Sequence, residues 1–153
     1  MNYWLLKSEP GVFSIDDLAA RPNQTEPWDG VRNYQARNLL RDRMHRGDRA
    51  FFYHSNTEIP GIVGIVEIVR EGYPDDTAFD PEHKYYDPKS TPANPRWYRV
   101  DVKLVRKFER IITLAELQAN AEQLGDLALL KRGSRLSVMP VTAEQWEFIL
   151  EFK

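Results

Sequence analysis

The strand-forming runs of this sequence are not separated by regular helical segments, and that spacing limits the folds open to the chain. Residues 50–54 and 62–69 are β-branched or aromatic runs joined by Pro60-Gly61, which predicts two neighbouring, buried, antiparallel strands. Residues 97–108 alternate between apolar and polar side chains, as a strand with one solvated face does. A doubly wound parallel sheet would need a helix after each strand. We therefore predict an α+β fold in which a mixed, barrel-like β core carries short peripheral helices.

Short helices are predicted where capping patterns occur. In three segments a Ser or Thr is followed three residues later by an acid or amide: Ser14 with Asp17, Thr113 with Glu116, and Thr142 with Gln145. A further helix is predicted from Asn33 to Gly47, because apolar residues recur there at helical spacing. First and last strands are expected at residues 3–7 and 136–139. Residues 71–96, which hold five of the ten prolines, predict a long irregular loop that is functional or mobile.

The composition of the chain limits its class. Its 153 residues, 42% of them hydrophobic, are enough for one sizeable core, so we expect a single domain over residues 1–153. The absence of cysteine excludes disulfides and thiolate metal sites, and the three histidines lack metal-ligand spacing, so neither a metal nor a cofactor is expected. No apolar run approaches the ~20 residues of a membrane span. The first residues do not resemble a secretory leader either. We expect a cytoplasmic protein without a membrane partner, with a monomer favoured.

Motifs of catalysis are absent. The sequence has no nucleophile elbow, no phosphate-binding glycine-rich loop ending in Lys-Ser or Lys-Thr, and no dinucleotide fingerprint. Gly61 and Gly64 lie in or beside a predicted strand, where close packing or a bulge is the simpler explanation.

Positive charge is concentrated in one segment, although the chain has a net charge of −2. Residues 32–49 hold six arginines, no lysine and only two acids. Arginine binds phosphate in a planar, bidentate geometry, and Arg37 and Arg41 share one helix face. We predict phosphate contacts from these two and from Arg32, with an exposed face that is Arg-rich for solubility as the alternative. Residues 131–135 hold a second basic patch.

Two of the four tryptophans have positions that core packing does not explain. Trp28 precedes Asp-Gly, a turn sequence, and turns lie at the surface. Trp97 falls on the polar face of the strand predicted at residues 97–108. Both rings are candidates for stacking on a nucleic-acid base, with cover for the ends of the barrel as the alternative. Trp4 and Trp146 are predicted to be core.

Motifs along nearly the whole chain resemble the EVE domain family. They occur at residues 4–10 (WLLKSEP), 28–38 (WDGVRNYQARN), 47–48 (GD), 51–55 (FFYHS), 60–64 (PGIVG), 79–81 (FDP), 97–98 (WY) and 135–141 (RLSVMPV). The resemblance implies a PUA-like fold, a curved β-barrel with helices, related to the YTH domains that read methylated adenine in RNA. It also implies binding of a modified base, a modified cytosine in DNA, that is turned out of the helix or stands in a single strand.

The resemblance also implies roles at individual positions. Lys7 and Ser8 match a strand-end pair beside the base pocket, and Trp28 matches the ring before the second helix. Trp97 matches the aromatic that faces that ring across the base in the YTH relatives. The polar lining implied in the same way consists of Asn33 and Ser137. Two facing rings would form an aromatic cage, in which apolar surface added to the base is buried at ~25 cal/mol per Å².

The leading hypothesis is therefore a non-enzymatic module that reads a modified nucleobase, with DNA favoured over RNA. An RNA-binding PUA-like module is one alternative. Another is an enzyme that acts on a flipped base, with His54 or an acid of residues 71–96 as the proton carrier. A third is an interaction module whose exposed aromatic residues meet a protein partner.

Overall fold

A six-stranded mixed sheet organises the protein, and the computed structural model describes all of residues 1–153. Its strands in chain order are β1 (Tyr3–Ser8), β2 (Thr25–Pro27), β3 (Arg49–His54), β4 (Gly61–Pro74), β5 (Tyr98–Thr113) and β6 (Val138–Val141). In space the order is β2-β5-β4-β3-β1-β6, so β2 and β6 are the edges of an open sheet. The β1–β3 pair is parallel and the other pairs are antiparallel. The predicted α+β class with a mixed sheet and peripheral helices is confirmed.

The helices are short and surround the sheet. They are α1 (Ile15–Ala19), α2 (Tyr34–Asn38), α3 (Leu114–Ala119), α4 (Ala121–Leu124) and α5 (Ala143–Leu150). The capping boxes predicted at Ser14, Thr113 and Thr142 are all present. None of the helices combines the length and the apolar composition that a membrane crossing requires.

Several predicted boundaries were wrong, and long-range contacts explain why. Strand β4 extends to Pro74, into the segment predicted as a loop, because it pairs with β5 as far as Tyr98. The helix predicted to reach Gly47 is shorter: α2 continues as one π-helical turn, Leu39–Arg43, and ends there, since the chain becomes extended at Met44 and buries that side chain. The last strand begins two residues later than predicted, at the position that pairs with β1.

A hydrophobic cluster covers each face of the sheet, because successive residues of a strand point to opposite sides. Leu6 and Phe52 belong to the first cluster, and their neighbours Leu5 and Phe51 belong to the second. The predicted core tryptophans are confirmed, with Trp4 in the first cluster and Trp146 in the second.

Gly61 and Gly64 lie where β5 passes close to β4. A Cβ at either position would lie 2.3 Å from a backbone carbonyl oxygen of β5. The register of the two strands also shifts between Ile62 and Gly64. The close-packing explanation for these glycines is confirmed.

Candidate functional site

A cavity of about 600 Å³ opens beside Trp28. The parts of the chain that enclose most of it are residues 7–13, 26–32, 83–85 and 135–137. Its aromatic lining comes from Phe13, Trp28 and Tyr85. The Asp, Glu, Lys and Arg side chains that line it are Lys7, Glu9, Arg21, Glu26, Asp29, Arg32, Lys84 and Arg135. The volume lies within the ~300–1,000 Å³ typical of small-ligand sites, and the mixed lining suits a flat ligand with a hydrogen-bonding edge.

The Trp28 ring lines the cavity and is nearly buried, with 7% of its surface exposed. Its backbone N–H donates to the carbonyl oxygen of Val100 at 2.7 Å, which holds this residue against β5. The ring packs edge to face on Phe52, with centroids 5.3 Å apart, and on Phe13 at 6.4 Å. The prediction of a surface ring was therefore wrong, because the pairing of β2 with β5 carries residue 28 inward before the turn begins.

The structure does not bring Trp97 into the cavity wall. Its indole N–H donates to the Asp87 carboxylate at 2.7 Å, and its ring stacks on Tyr34 at 4.8 Å between centroids. The same hydrogen bond lowers the pKa of Asp87. Trp97 is 6% exposed, so the expectation of a solvated strand face was wrong: the loop after β4 covers it. The expected pair of tryptophan rings facing each other across a hollow is not observed.

Arg32 ties the cavity wall to the loop that covers it. Its guanidinium pairs with the fully buried Asp75 at 3.1 Å and donates to the carbonyl oxygen of Tyr85 at 2.8 Å. The same group lies 5.5 Å from the centroid of the Tyr85 ring and 5.4 Å from that of Trp97. Arg32 lines the cavity, but each of these contacts also makes it a structural residue.

The other two predicted phosphate-binding arginines lie away from the cavity wall. Arg37 donates to the carbonyl oxygen of Arg96 at 2.7 Å and lies 4.9 Å from the centroid of the Tyr34 ring. Arg41 pairs with its neighbour Asp42 at 2.8 Å. Phosphate binding by this face of α2 stays a prediction.

Three of the four predicted polar residues line the cavity, namely Lys7, Ser8 and Ser137. The Lys7 backbone N–H donates to the carbonyl oxygen of Ser137 at 2.8 Å, which joins the end of β1 to the segment before β6. Burial lowers the pKa of the Lys7 ammonium group. The Ser8 hydroxyl donates to the carbonyl oxygen of Phe13 at 2.6 Å. Asn33 is exposed outside the cavity, where its side chain caps α2 by accepting a backbone N–H at 2.9 Å.

The loop between β4 and β5 supplies lining residues that had not been predicted. Tyr85 packs directly on Gly30, where a Cβ would lie 2.4 Å from the tyrosine ring. Gly30 has a φ of 76°, a conformation that favours glycine. The aromatic and basic residues among the loop prolines were the available signal. Arg135, from the second basic patch, also lines the cavity.

Two carboxylates next to the cavity have opposite pKa shifts. Burial by itself raises the pKa of Asp75, but hydrogen bonds from Thr77, a backbone N–H and Arg32 hold it below its ordinary value. Burial and the charge of Asp75 raise the pKa of Asp29. The cation closest to Asp29 is Arg99, 3.9 Å from its carboxylate. Asp29 is thus a half-buried acid in the cavity wall without a close donor.

The histidines of this region are held in structural contacts. The Nε2 atom of His54 accepts the backbone N–H of Ile15 at 3.1 Å, at the start of α1, and burial lowers the pKa of this imidazole. His54 does not line the cavity. The Nδ1 atom of His83 accepts the N–H of Tyr85 at 3.1 Å. No group of three or more His, Asp or Glu side chains is arranged to hold a metal ion.

Known proteins are similar to this chain in sequence and in fold. A model of the EVE domain matches residues 2–152. The chain is 48% identical to thymocyte nuclear protein 1 of Homo sapiens, over 99% of this chain and 74% of that protein. It is similar to a crystal structure of a Pseudomonas putida protein at 52% identity, with a TM-score of 0.92 over 97% of each chain. It is also similar to a crystal structure of human THYN1 protein in complex with DNA containing 5-methylcytosine, with a TM-score of 0.93, 48% identity, and coverage of 99% of this chain and 97% of that chain.

Proposed function

Because this chain belongs to the EVE domain family, we propose that it binds DNA and holds one modified base, a 5-methylated cytosine, in the cavity beside Trp28. The main structural support for this function is the cavity itself, with its volume of about 600 Å³ and its three aromatic side chains. The crystallised human relative, 48% identical to this chain, was in complex with DNA containing 5-methylcytosine. The EVE motifs of the sequence imply the same class of ligand.

A base in this cavity is turned out of its stack or comes from a single strand. Stacking on an aromatic side chain contributes ~1–3 kcal/mol per base. A 5-methyl group adds about 0.8 kcal/mol when it is buried against such walls, because it removes apolar surface from water. Trp97 lies outside the cavity, so we assign the second aromatic contact to Phe13 and Tyr85.

The phosphates that flank the base meet cations at the rim of the same cavity. Lys7, Lys84 and Arg135 line it and have no acidic partner within salt-bridge distance. Arg37 and Arg41 would have to leave their present partners to take part. Phosphate contacts position a nucleic acid without reading its sequence, which matches the exposed side chains of Lys84 and Arg135 at the rim, whereas Lys7 is half-buried.

The proposed role is binding without covalent chemistry. His54, the candidate proton carrier, is outside the cavity and accepts a backbone hydrogen bond. We expect a methylated oligonucleotide to keep its mass after prolonged incubation with the protein. Turnover that is lost in His54→Ala would support the enzyme hypothesis instead.

Titration of labelled oligonucleotides tests the function directly. The DNA probes carry one cytosine or one 5-methylcytosine at the same position, as single strands and as duplexes, and an RNA of the same sequence tests the RNA-binding alternative. We expect about fourfold tighter binding of the methylated probe, the equivalent of one buried methyl group. Affinity should also fall as salt rises, because phosphates are neutralised at the rim. Equal affinity for every probe would show that the protein does not recognise the methylated base.

A further inference from the structure

A pocket for 5-methylcytosine faces a chemical problem that the methyl group cannot solve. Thymine carries the same 5-methyl group on a ring of the same size, and it is abundant in DNA. The two bases differ at positions 3 and 4, where cytosine presents a bare N3 and an amino donor, and thymine presents N3–H and the O4 acceptor. Aromatic walls do not distinguish these edges, so a polar group of the pocket has to read them.

Three carboxylates line the cavity, and two of them already accept a hydrogen bond. Glu26 accepts one from the Arg21 guanidinium at 2.9 Å. Glu9 accepts one from the Asn56 side-chain amide. Asp29 accepts none, and its only close cation is 3.9 Å away. It is therefore the one cavity carboxylate that has no hydrogen-bond donor on either of its oxygens.

The backbone fixes Asp29 at the cavity wall. The preceding residue, Trp28, is anchored through its N–H to Val100, and the following Gly30 N–H donates to the Asp75 carboxylate at 2.9 Å. Asp29 thus lies between two anchored neighbours, directly after the ring on which the base is proposed to stack. Its side chain is 37% exposed, so a ligand can reach it.

We propose that Asp29 is the residue that selects methylated cytosine over thymine, by accepting a hydrogen bond from the 4-amino group; this inference rests on the proposed function. A carboxylate accepts from an amino group but places lone pairs against the O4 atom of thymine. Burial and the nearby charge of Asp75 disfavour the charged form of Asp29 and raise its pKa. An amino donor at this position relieves that cost.

Asp29→Asn provides the test, because the amide has nearly the same shape but carries both a donor and an acceptor, so it can turn to match either base. Competition titrations compare single-stranded probes with 5-methylcytosine, cytosine or thymine at one position. For the unmodified protein we expect about tenfold or more preference for 5-methylcytosine over thymine. In Asp29→Asn the thymine probe should gain about tenfold. The affinity for 5-methylcytosine should change less than about threefold, since the amide still accepts from the amino group.

Asp76→Asn is the matched control. Asp76 pairs with the same Arg99 at 3.2 Å but does not line the cavity, so this variant should keep the full preference. An Asp29→Asn protein that rejects thymine as strongly as the parent overturns the role of Asp29, as does a parent protein that binds both methylated bases equally. If 5-methylcytosine still binds tighter than cytosine in either case, the proposed function stands. Equal binding of all three bases by the parent overturns the function and this inference together.

Discussion

Trp28 packs in the first hydrophobic cluster and lines the cavity, so one side chain serves both stability and ligand contact. Its edge-to-face contact with Phe52 belongs to the core, while its exposed 7% is the part left for a ligand. A ring fixed in this way keeps its orientation before a base arrives. Less conformational freedom is then lost on binding, which favours affinity.

We expect Trp28→Ala to lose both stability and base affinity. Removing a buried ring of this size costs about 3–5 kcal/mol of unfolding free energy, and the loss of stacking weakens base binding by about 1–3 kcal/mol. Urea unfolding measures the first effect, and titration of the folded variant with a methylated probe at low temperature measures the second. Trp146→Ala is the control, since Trp146 is equally buried in the second cluster but remote from the cavity. The Trp146→Ala protein should lose stability but keep its base affinity when folded. A Trp28→Ala protein with unchanged base affinity would show that the Trp28 ring does not stack on the base.

At the scale of secondary-structure elements, features that depend on nearby residues could be predicted from the sequence. Features that depend on contacts with distant residues could not. The capping box at Ser14 depends on residues three positions apart, and it was visible in the sequence. The extension of β4 to Pro74 depends on a partner strand that starts at Tyr98, so no local pattern marked it. The burial of Trp97 likewise depends on Asp87, which comes from the covering loop.

The contact between that loop and the turn after β2 gives a prediction at this scale. A Cβ at Gly30 would meet the Tyr85 ring at 2.4 Å, so Gly30→Ala should displace the loop and open the cavity wall. Base affinity should fall by about tenfold, the equivalent of about 1.4 kcal/mol of lost contact with the Tyr85 side of the cavity, and protease cleavage within residues 80–90 should become faster. Titration and limited proteolysis measure the two effects.

Gly47→Ala is a matched control for Gly30→Ala. Gly47 also has a positive φ, 94°, but a Cβ there would meet nothing within 4 Å, and the residue does not line the cavity. Backbone strain is then similar in both variants, and only one of them clashes. Equal loss of affinity in the two variants would assign the effect to strain rather than to the Tyr85 contact.

At the scale of the whole molecule, the site is assembled from distant parts of the chain, and this decided which of its residues could be predicted. Lys7, Ser8 and Ser137 follow from strand ends that the family motifs mark, and they line the cavity. Tyr85 and Asp29 acquire their positions from contacts across the fold, with Gly30 and β5 respectively. A sequence shows the candidate side chains of such a site, but the sheet order decides which of them meet.

Asp75 contacts residues from distant parts of the chain, so the stability of the whole site in acid depends on its charge. It accepts a hydrogen bond from the Gly30 N–H at 2.9 Å, pairs with Arg32 at 3.1 Å and lies 3.8 Å from Arg99. Its pKa is lower in the folded protein than the ordinary value of 3.8. Protonation therefore occurs more easily in the unfolded chain, so the stabilisation from Asp75 is complete well above pH 3.8 and is lost as the pH falls below that value towards the folded pKa.

Asp75→Asn should remove this contribution at neutral pH. Deleting one partner of a buried ion pair costs about 3–5 kcal/mol because the arginines keep their charge without their counter-ion. Urea unfolding between pH 7 and pH 3 measures the free energy of unfolding of both proteins. The difference between parent and variant should be large at neutral pH and should become smaller in acid. Asp42→Asn is the control: Asp42 also pairs with an arginine, at 2.8 Å, but at the surface, where such pairs contribute little. A gap between the parent and Asp75→Asn that stays constant down to pH 3 would mean that the charge of Asp75 does not hold the loop, and that shape alone keeps the cavity wall in place.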